Sequence, residues 1–325
     1  MRILITGSSG HLGEALCRVL AADGNEIVGF DVLPSPHTAV VGSIVDRALV
    51  GRVMDGIDAV VHTATLHKPH VGTHSRSDFV ESNVTGTLNL LEAAADAGVG
   101  SFVFTSTTST FGRALSPPPG EPAAWITEDV APVVKNVYGA TKTAAEDLCE
   151  LVARDRGLPC VILRTSRFFP EADDRDDVRS AYDDLNLKVN ELLHRRVDLD
   201  DVVTAHRLAV ERAPTLGFGR YIVSATTPFV VDDVAALARD TPGVVRRLYP
   251  DVDEVYASLG WTMFPVIDRV YVNARARRDL GWSPRYDFRH ALDRLAEGLD
   301  PRSPLALAVG AKGYHATSTG VYTTG

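Results

Sequence analysis

The sequence TGSSGHLG occupies residues 6–13 and continues the short apolar run RILIT at residues 2–6. Apolar residues at helical spacing follow it, so the glycines lie between a predicted strand and a predicted helix, where a glycine motif is informative. Gly7 permits a tight turn, Gly10 lets the backbone approach a pyrophosphate, and Gly13 lets the helix pack close to the sheet. The turn therefore predicts a dinucleotide site in which N–H groups at the helix N-terminus bind the phosphates.

An acidic residue ends the second predicted strand, EIVGFD at residues 26–31. Asp31 lies 18 residues after Gly13, at a position where a carboxylate can bind both ribose hydroxyls of an adenosine. The same carboxylate would repel a phosphate on that ribose. The sequence therefore favours NAD over NADP, and the alternative is a plain surface acid in a turn.

Strand-like and helix-like patterns alternate through the first half of the chain. Apolar runs predict buried strands at 57–61, 101–105 and 160–164, and helical stretches fall at 83–97 and 139–155. This alternation indicates βαβ units and a parallel sheet with helices on both faces. We therefore predict an α/β protein built on a doubly wound parallel sheet.

The pattern weakens in the second half, which suggests a division into domains. We predict a dinucleotide-binding domain over residues 1–165, to which the chain returns at about 197–225. Residues 166–196 and 226–302 are assigned to a smaller C-terminal α/β domain that binds the substrate. The tail at 303–325 is rich in Gly, Ser and Thr, and we expect it to be loosely held or exchanged with a neighbouring chain.

Composition argues against several classes of function. The net charge of -9 is not the basic footprint of a nucleic-acid-binding protein, and no stretch has the roughly 18 apolar residues of a membrane span. Cys17, Cys149 and Cys160 form no CxxC pair or metal-type cluster, so we predict small core residues, a reducing compartment and no metal site. The sequence begins without a signal-peptide pattern, and we expect a cytoplasmic protein.

Tyr138 and Lys142 are four positions apart at the start of a predicted helix, which places them on one helix face. A free tyrosine has a pKa of about 10 and is a poor base at neutral pH, but an adjacent ammonium favours the phenolate and lowers that pKa. We predict that Tyr138 takes a hydroxyl proton as hydride leaves the carbon, and returns it in reverse. The alternative is an ordinary surface pair.

A run of hydroxyl residues, TSTTST at 105–110, follows another predicted strand and would point into the ligand crevice. With these motifs in order, the chain resembles the extended short-chain dehydrogenases/reductases, the NAD-dependent epimerase/dehydratase family typified by UDP-galactose 4-epimerase. The resemblance covers about residues 1–300. Its motifs are TGxxGxxG at 6–13, Asp31, Asp46, His62-Thr63-Ala64-Thr65, NxxGT at 83–87, TSTTSTFG at 105–112, YxxxK at 138–142, Arg164, Asp200-Asp201-Val202 and LGWSP at 280–284.

The resemblance implies a catalytic trio in which Thr107 hydrogen-bonds the reacting oxygen beside Tyr138 and Lys142. It implies a homodimer formed through a four-helix bundle that includes the tyrosine-bearing helix. It also implies NAD as the cofactor, with Asp46 near the adenine. The cofactor-binding residues would be Gly7, Ser9, Gly10, His11, Leu12, Gly13, Asp31, Asp46, Ala64, Asn83 and Lys142.

The candidate substrate residues depart from the family pattern. Thr108 stands where sugar-nucleotide 4,6-dehydratases begin an Asp-Glu pair, which argues against dehydration. Arg167 replaces an Asn that normally helps hold the diphosphate; it would bind a phosphate or carboxylate, or form a salt bridge to the acidic run at 171–177. The segment that follows is short for wrapping a nucleotide, which favours a smaller sugar or polyol as an alternative. His67 and Lys68 would meet an anionic substrate if they face the crevice, and otherwise form a solvated loop.

Three functions remain open from the sequence. The first is epimerisation at a carbinol carbon of a sugar or sugar nucleotide, with NAD retained. The second is an NAD-dependent dehydrogenase of a smaller free sugar, uronic acid or polyol. The third is a non-catalytic NAD-sensing module, against which the intact trio of Tyr138, Lys142 and Thr107 argues.

Overall fold

The structure is a computed structural model of the 325-residue chain, and it describes residues 1–118, 120–173 and 176–312. The strands are β1 (Arg2–Thr6), β2 (Glu26–Asp31), β3 (Val40–Val41), β4 (Ala59–His62), β5 (Ser101–Thr107), β6 (Ala124–Ile126), β7 (Cys160–Thr165), β8 (Phe218–Val223) and β9 (Arg269–Tyr271).

Helices follow most of the strands. They are α1 (His11–Ala22), α2 (Arg47–Val53), α3 (Arg76–Val80), α4 (Gly86–Asp96), α5 (Val137–Arg156), α6 (Asp176–Ala181), α7 (Asp184–Leu192), α8 (Leu199–Leu216), α9 (Val234–Leu237), α10 (Thr241–Leu248), α11 (Val252–Leu259), α12 (Ala274–Leu280), α13 (Phe288–Ala296) and α14 (Pro304–Val309). Short 3-10 turns cover Lys68–Gly72, Thr108–Phe111, Arg113–Leu115 and Val231–Asp233, and a π-helical turn covers Glu81–Thr85.

Seven strands form one parallel sheet in the order β3-β2-β1-β4-β5-β7-β8. The chain begins in the middle, winds to one edge, and then restarts beside β1 and winds to the other edge. A crevice opens where the winding reverses, outside the carboxyl ends of the strands, and ligands bind there in such sheets. The predicted α/β class and doubly wound parallel sheet are confirmed.

Helices cover both faces of this sheet because alternate residues of each buried strand point to opposite sides. Ile3 and Ile5 of β1 pack into the core layer that contains α1 and α8, whereas Leu4 packs into the opposite layer with parts of α4 and α5. Cys17, which belongs to the first layer, is buried, as are the other two cysteines. In the described ranges, no helix combines the length and the hydrophobicity that a membrane crossing requires.

A third core cluster lies apart from the two that flank the sheet. It combines buried residues of α7, α10, α11 and α13 with Ala123, which precedes β6, and β6 pairs with β9 in a second parallel sheet. On this basis we propose that residues 166–196 and 226–302 form the smaller substrate-binding domain. Helix α7, which contributes to this cluster, also lines the cavity described below.

The start of the expected tail is docked against the sheet domain. Ser303 begins α14 by accepting a hydrogen bond from the Ala306 N–H (3.0 Å), and its own N–H donates to the Asp198 carboxylate (3.1 Å). Val309 is buried in the same core layer as α1 and α8. Residues 303–312 are therefore docked in the structure, because apolar residues at helical spacing bind this segment to the core. The remainder of the tail lies outside the described residues.

Candidate active site

A cavity of about 670 Å³ opens at the carboxyl end of the parallel sheet. Residues at or just beyond the ends of β1, β2, β4, β5 and β7 line it, and Tyr138 from α5 reaches it from the side. Leu187, Lys188 and Arg196 contribute from the part of the chain beyond β7. The cavity therefore joins the predicted cofactor motifs to the predicted substrate region.

The glycines of the turn allow the backbone to pack more closely than side chains would permit. Gly7 has a φ of +74°, and a Cβ on Gly13 would lie 1.9 Å from the Gly7 carbonyl oxygen. Gly10 precedes α1 without any side-chain cap on the helix N-terminus, so N–H donors remain for a ligand. Uncapped donors and a helix dipole at a cavity wall favour an anion. This observation fits the diphosphate of NAD.

Asp31 ends β2 beside this turn and lines the cavity. Its carboxylate accepts hydrogen bonds from the backbone N–H groups of Ser9 (3.0 Å) and Leu33 (2.9 Å). These contacts fix a negative charge next to the turn, where it can accept hydrogen bonds from ribose hydroxyls and would repel an additional phosphate. The geometry fits the adenosine half of NAD.

Most of the residues predicted from the sequence lie together in this cavity, whereas Asp46, Asn83 and Lys142 do not line it. Those that line it are Gly7, Ser9, Gly10, His11, Leu12, Gly13, Asp31, Ala64, His67, Lys68, Thr107, Thr108, Tyr138 and Arg167.

Asp46 caps a helix instead of facing the adenine side of the cavity. Its carboxylate accepts a hydrogen bond from the Leu49 N–H (3.0 Å) and begins α2. Ser43 and Ile44 line the cavity at this point. In the structure Asp46 satisfies the helix terminus, as an Asp three positions before a backbone donor does, and its role near the adenine stays a prediction.

Asn83 is buried and holds a loop in place. Its amide nitrogen donates to the Leu66 carbonyl (2.8 Å) and to the Thr141 hydroxyl (3.1 Å), and its amide oxygen accepts from the Leu66 N–H (2.8 Å). These bonds tie the segment after β4 to α5, one turn beyond Tyr138. Asn83 therefore acts in the structure as a positioning residue, the neighbouring Ser82 lines the cavity, and a contact of Asn83 with the cofactor stays a prediction.

The predicted trio lies where β5 meets α5. Burial raises the pKa of Tyr138 to about 12, and the neighbouring Thr107 side chain opposes that shift. The Lys142 ammonium donates to the Thr105 carbonyl (2.7 Å) and lies 3.8 Å from the centroid of the Phe104 ring. Burial also lowers the pKa of Lys142 to about 7. Tyr138 and Lys142 are thus both buried, and they lie one helical turn apart on α5.

The lowered pKa of Lys142 predicts a pH-dependent stability. Between pH 7 and about 10.5 the unfolded chain binds a proton at Lys142 that the folded chain has released, so the cost of burying this ammonium is complete below pH 7 and disappears towards pH 10.5. We expect Lys142→Met to gain more in melting temperature over the wild type at pH 6 than at pH 9. Each kcal/mol corresponds to roughly 2–4 °C in a chain of this size. A gain that is equal at both pH values, measured by thermal denaturation, would contradict the assignment.

A buried ion pair that the sequence analysis missed supports the trio. Glu146, one turn after Lys142 on α5, accepts hydrogen bonds from Arg164 Nη2 (2.6 Å) and from the Ser106 hydroxyl (2.5 Å). Arg164 and Glu146 are 3% and 1% exposed. Because Ser106 precedes Thr107, this pair connects β5, β7 and α5. The sequence analysis noted Arg164 as a family motif. Nothing in the sequence indicated that Glu146 is its partner, except that Glu146 lies on the same predicted helix as Tyr138.

Arg167 is engaged by carboxylates of the protein. Its Nη1 lies 2.5 Å from Asp173 and 2.8 Å from Glu191, and Glu191 also pairs with Arg195 and Arg196. The structure therefore shows the salt bridge to the acidic run. Arg167 also lines the cavity, so its binding of a phosphate or carboxylate stays a prediction.

The other candidate substrate residues lie at the wall of the cavity after β4 and β5. Lys68 begins a 3-10 turn, and the His67 ring lies 4.8 Å from that of His70. Thr108 is buried directly after the catalytic threonine position. His67, Lys68 and Thr108 line the same cavity as Tyr138, and their contact with a substrate stays a prediction.

Two phenylalanines that the sequence analysis did not single out form an apolar wall. Phe168 and Phe169 pack with ring centroids 4.3 Å apart, and the His11 ring stacks on Phe168 at 6.0 Å. Burial lowers the pKa of His11 to about 4, so this imidazole is neutral at physiological pH. The wall gives the middle of the cavity an uncharged surface.

Known proteins share this sequence pattern and fold. The model of the NAD dependent epimerase/dehydratase family matches residues 3–217. A UDP-glucose 4-epimerase from Rhizobium meliloti (strain 1021) is 34% identical over 171 residues, which are 50% of this chain and 50% of that protein. A 3-beta-hydroxysteroid dehydrogenase from Mycolicibacterium neoaurum is 26% identical over 337 residues, covering 90% of this chain and 89% of that protein.

The fold itself has solved counterparts. A short-chain dehydrogenase/reductase superfamily protein from Agrobacterium tumefaciens, solved with bound NAD, superimposes with a TM-score of 0.66 at 24% identity. The match covers 91% of this chain and 96% of that one. The matches to UDP-glucose 4-epimerases such as the Rhizobium protein span about half of the relatives' length, so they bear on part of the chain.

Proposed function

The chain belongs to the NAD-dependent epimerase/dehydratase family, and from that membership we propose that it transfers a hydride at a carbinol carbon of a sugar or sugar nucleotide as an epimerase. The observation that carries this proposal is that Tyr138 and Thr107 line the same cavity as the glycine turn. A binding module has no need of a tyrosine, a threonine and a buried lysine at that point, which argues against a non-catalytic NAD sensor.

The chain's own residues divide the binding of NAD among them. The uncapped N–H groups at the start of α1 would hold the diphosphate, and Asp31 would accept hydrogen bonds from the adenosine ribose. Ser43 and Ile44, which line the cavity near Asp31, would adjoin the adenine, and the nicotinamide would be placed towards Tyr138. The bound cofactor would supply the hydride acceptor and donor that an epimerisation needs.

The proton chemistry belongs to the trio. Thr107 hydrogen-bonds the reacting oxygen, and Tyr138 takes the proton from it and returns it in the reverse direction. Burial alone raises the pKa of Tyr138, so its base form depends on positive charge nearby. Lys142, one helical turn away, supplies that charge when protonated and favours the phenolate.

The experiment that tests the epimerase proposal measures cofactor retention and product together. Purified protein is expected to release NAD at about one per chain on heating after dialysis, and to interconvert UDP-glucose and UDP-galactose without accumulating NADH. Steady formation of NADH, with an empty purified protein that binds NAD reversibly, would overturn epimerisation and favour net oxidation.

A dehydrogenase of a smaller substrate is the second candidate. It is favoured by Arg167, whose guanidinium is committed to Asp173 and Glu191 where a diphosphate would need a cation. The apolar wall of Phe168 and Phe169 and the nearly full-length similarity to a hydroxysteroid dehydrogenase also favour a substrate without a diphosphate. Candidate substrates are free sugars, uronic acids, polyols and other ring alcohols, screened by NADH absorbance.

We also propose a cytoplasmic homodimer formed through α4 and α5. The family resemblance supports the pairing of these helices, and α5 leaves Leu151 41% exposed on its outer side. Three buried cysteines, all free of disulfides, are consistent with a reducing compartment.

A further inference from the structure

The docked segment 303–312, here called the C-terminal strap, crosses the outside of the dinucleotide half of the molecule. Its helix α14 packs between α1 and α8, where Leu305 and Ala306 contact the core layer and Val309 is buried. The bond from the Ser303 N–H to Asp198 anchors its start. This anchoring fixes the course of the residues that follow α14.

The strap ends at the N-terminal end of α1. Lys312 Nζ lies 2.5 Å from a carboxylate oxygen of Glu14, and Lys312 lines the cavity together with Gly10, His11 and Gly13. A lysine from the far end of the chain therefore stands beside the uncapped helix terminus. An ammonium has three N–H donors, and the contact with Glu14 uses one of them.

Glu14 places a negative charge beside this lysine. Its carboxylate lies in the first turn of α1, where it would repel an anionic ligand at the helix terminus. Arg18 Nη2 lies 2.6 Å from the same carboxylate and Lys312 approaches it from the other oxygen, so two cations neutralise it. Lys312 lines the cavity, whereas Arg18 does not.

We propose that the C-terminal strap completes the dinucleotide site and that Lys312 donates a hydrogen bond to a phosphate oxygen of the bound cofactor. This inference rests on the proposed NAD site. The strap then contributes a positive charge to the phosphates, which the uncharged residues of the glycine turn lack. A charge-assisted bond of this kind is stronger than a neutral one.

The test compares the binding of NAD, ADP and adenosine by isothermal titration calorimetry, after any NAD that the protein retains has been removed. Lys312→Met is expected to weaken NAD and ADP by about tenfold each and to leave adenosine, which has no phosphate, unchanged. Arg18→Met is the matched control, because it removes the other cation from Glu14 outside the cavity, and it should change all three affinities by less than about twofold. Thermal denaturation verifies that each variant is folded.

A second variant separates direct contact from simple neutralisation. If Lys312 acts only by neutralising Glu14, then Glu14→Gln should restore full NAD affinity to Lys312→Met. We expect the double variant to remain about tenfold weaker than Glu14→Gln alone. Restored affinity, unchanged NAD binding by Lys312→Met, or an equal loss for adenosine would each overturn the inference while leaving the NAD site intact. A wild-type protein that binds neither NAD nor ADP would overturn both.

Discussion

Replacing Tyr138 with Phe is expected to lower turnover by about 10²- to 10⁴-fold, the usual contribution of a positioned general acid or base. The substitution keeps the aromatic ring, which is 8% exposed, and removes only the hydroxyl that contacts Thr107. The glycine turn and Asp31 are left as they are, so the dissociation constant of NAD should change by less than about twofold. Turnover and NAD binding therefore separate in this variant.

The matched control is Tyr249→Phe. Tyr249 packs at the edge of the third core cluster and does not line the cavity, so deleting its hydroxyl should leave both turnover and NAD binding near the wild-type values. Turnover that persists in Tyr138→Phe would show that the acid/base assignment is wrong. A loss of NAD binding equal to the loss of turnover would instead indicate a structural role for the hydroxyl.

The sheet and the dinucleotide half of the site were predictable because their signals are short in sequence. A glycine turn between an apolar strand and a helix, an acid at the end of the next strand, and i,i+4 spacing are each contained in a few residues. The side chains that line the cavity near the turn follow from these local patterns. Asp31 and Tyr138 therefore lie in the cavity, as the motifs predicted.

Other contacts depend on partners that are distant in the chain. Asp46 matched a motif position, and in the structure its side chain caps the N-terminus of α2. Arg167 fitted two roles in the sequence, and the structure places Glu191, on a separate helix, 2.8 Å from it. The folded arrangement is needed to identify such partners, because one residue type can serve both roles.

The strap shows a different limit of sequence reasoning. Composition described residues 303–325 by their Gly, Ser and Thr content, which is typical of a loose tail. The apolar residues Leu305, Ala306 and Val309 have helical spacing over a single turn, a signal too short to outweigh that composition. The docking of this segment against α1 and α8 can be recognised only when the positions of those helices are known.

Glu146→Ala is expected to lower the free energy of unfolding by roughly 3–5 kcal/mol, the cost of leaving one charge of a buried pair without its partner. Arg164 is 3% exposed beside Glu146, and Arg220 Nε lies 3.3 Å from the same carboxylate. The Ser106 hydroxyl would also lose its acceptor. Urea denaturation measures the change. A loss below about 1 kcal/mol would show that the pair does not stabilise the connection between β5, β7 and α5.

Glu150→Ala is the control on the same helix, because Glu150 pairs with Arg220 at 2.9 Å but is 47% exposed. An exposed pair of this kind contributes about 0–1 kcal/mol, so the two variants should differ by several-fold in their effect. Glu146 is one turn from Lys142, and its partner Ser106 adjoins Thr107. Molecules of Glu146→Ala that remain folded should therefore also lose turnover, because the strand end that presents Thr107 to Tyr138 is no longer tied to α5.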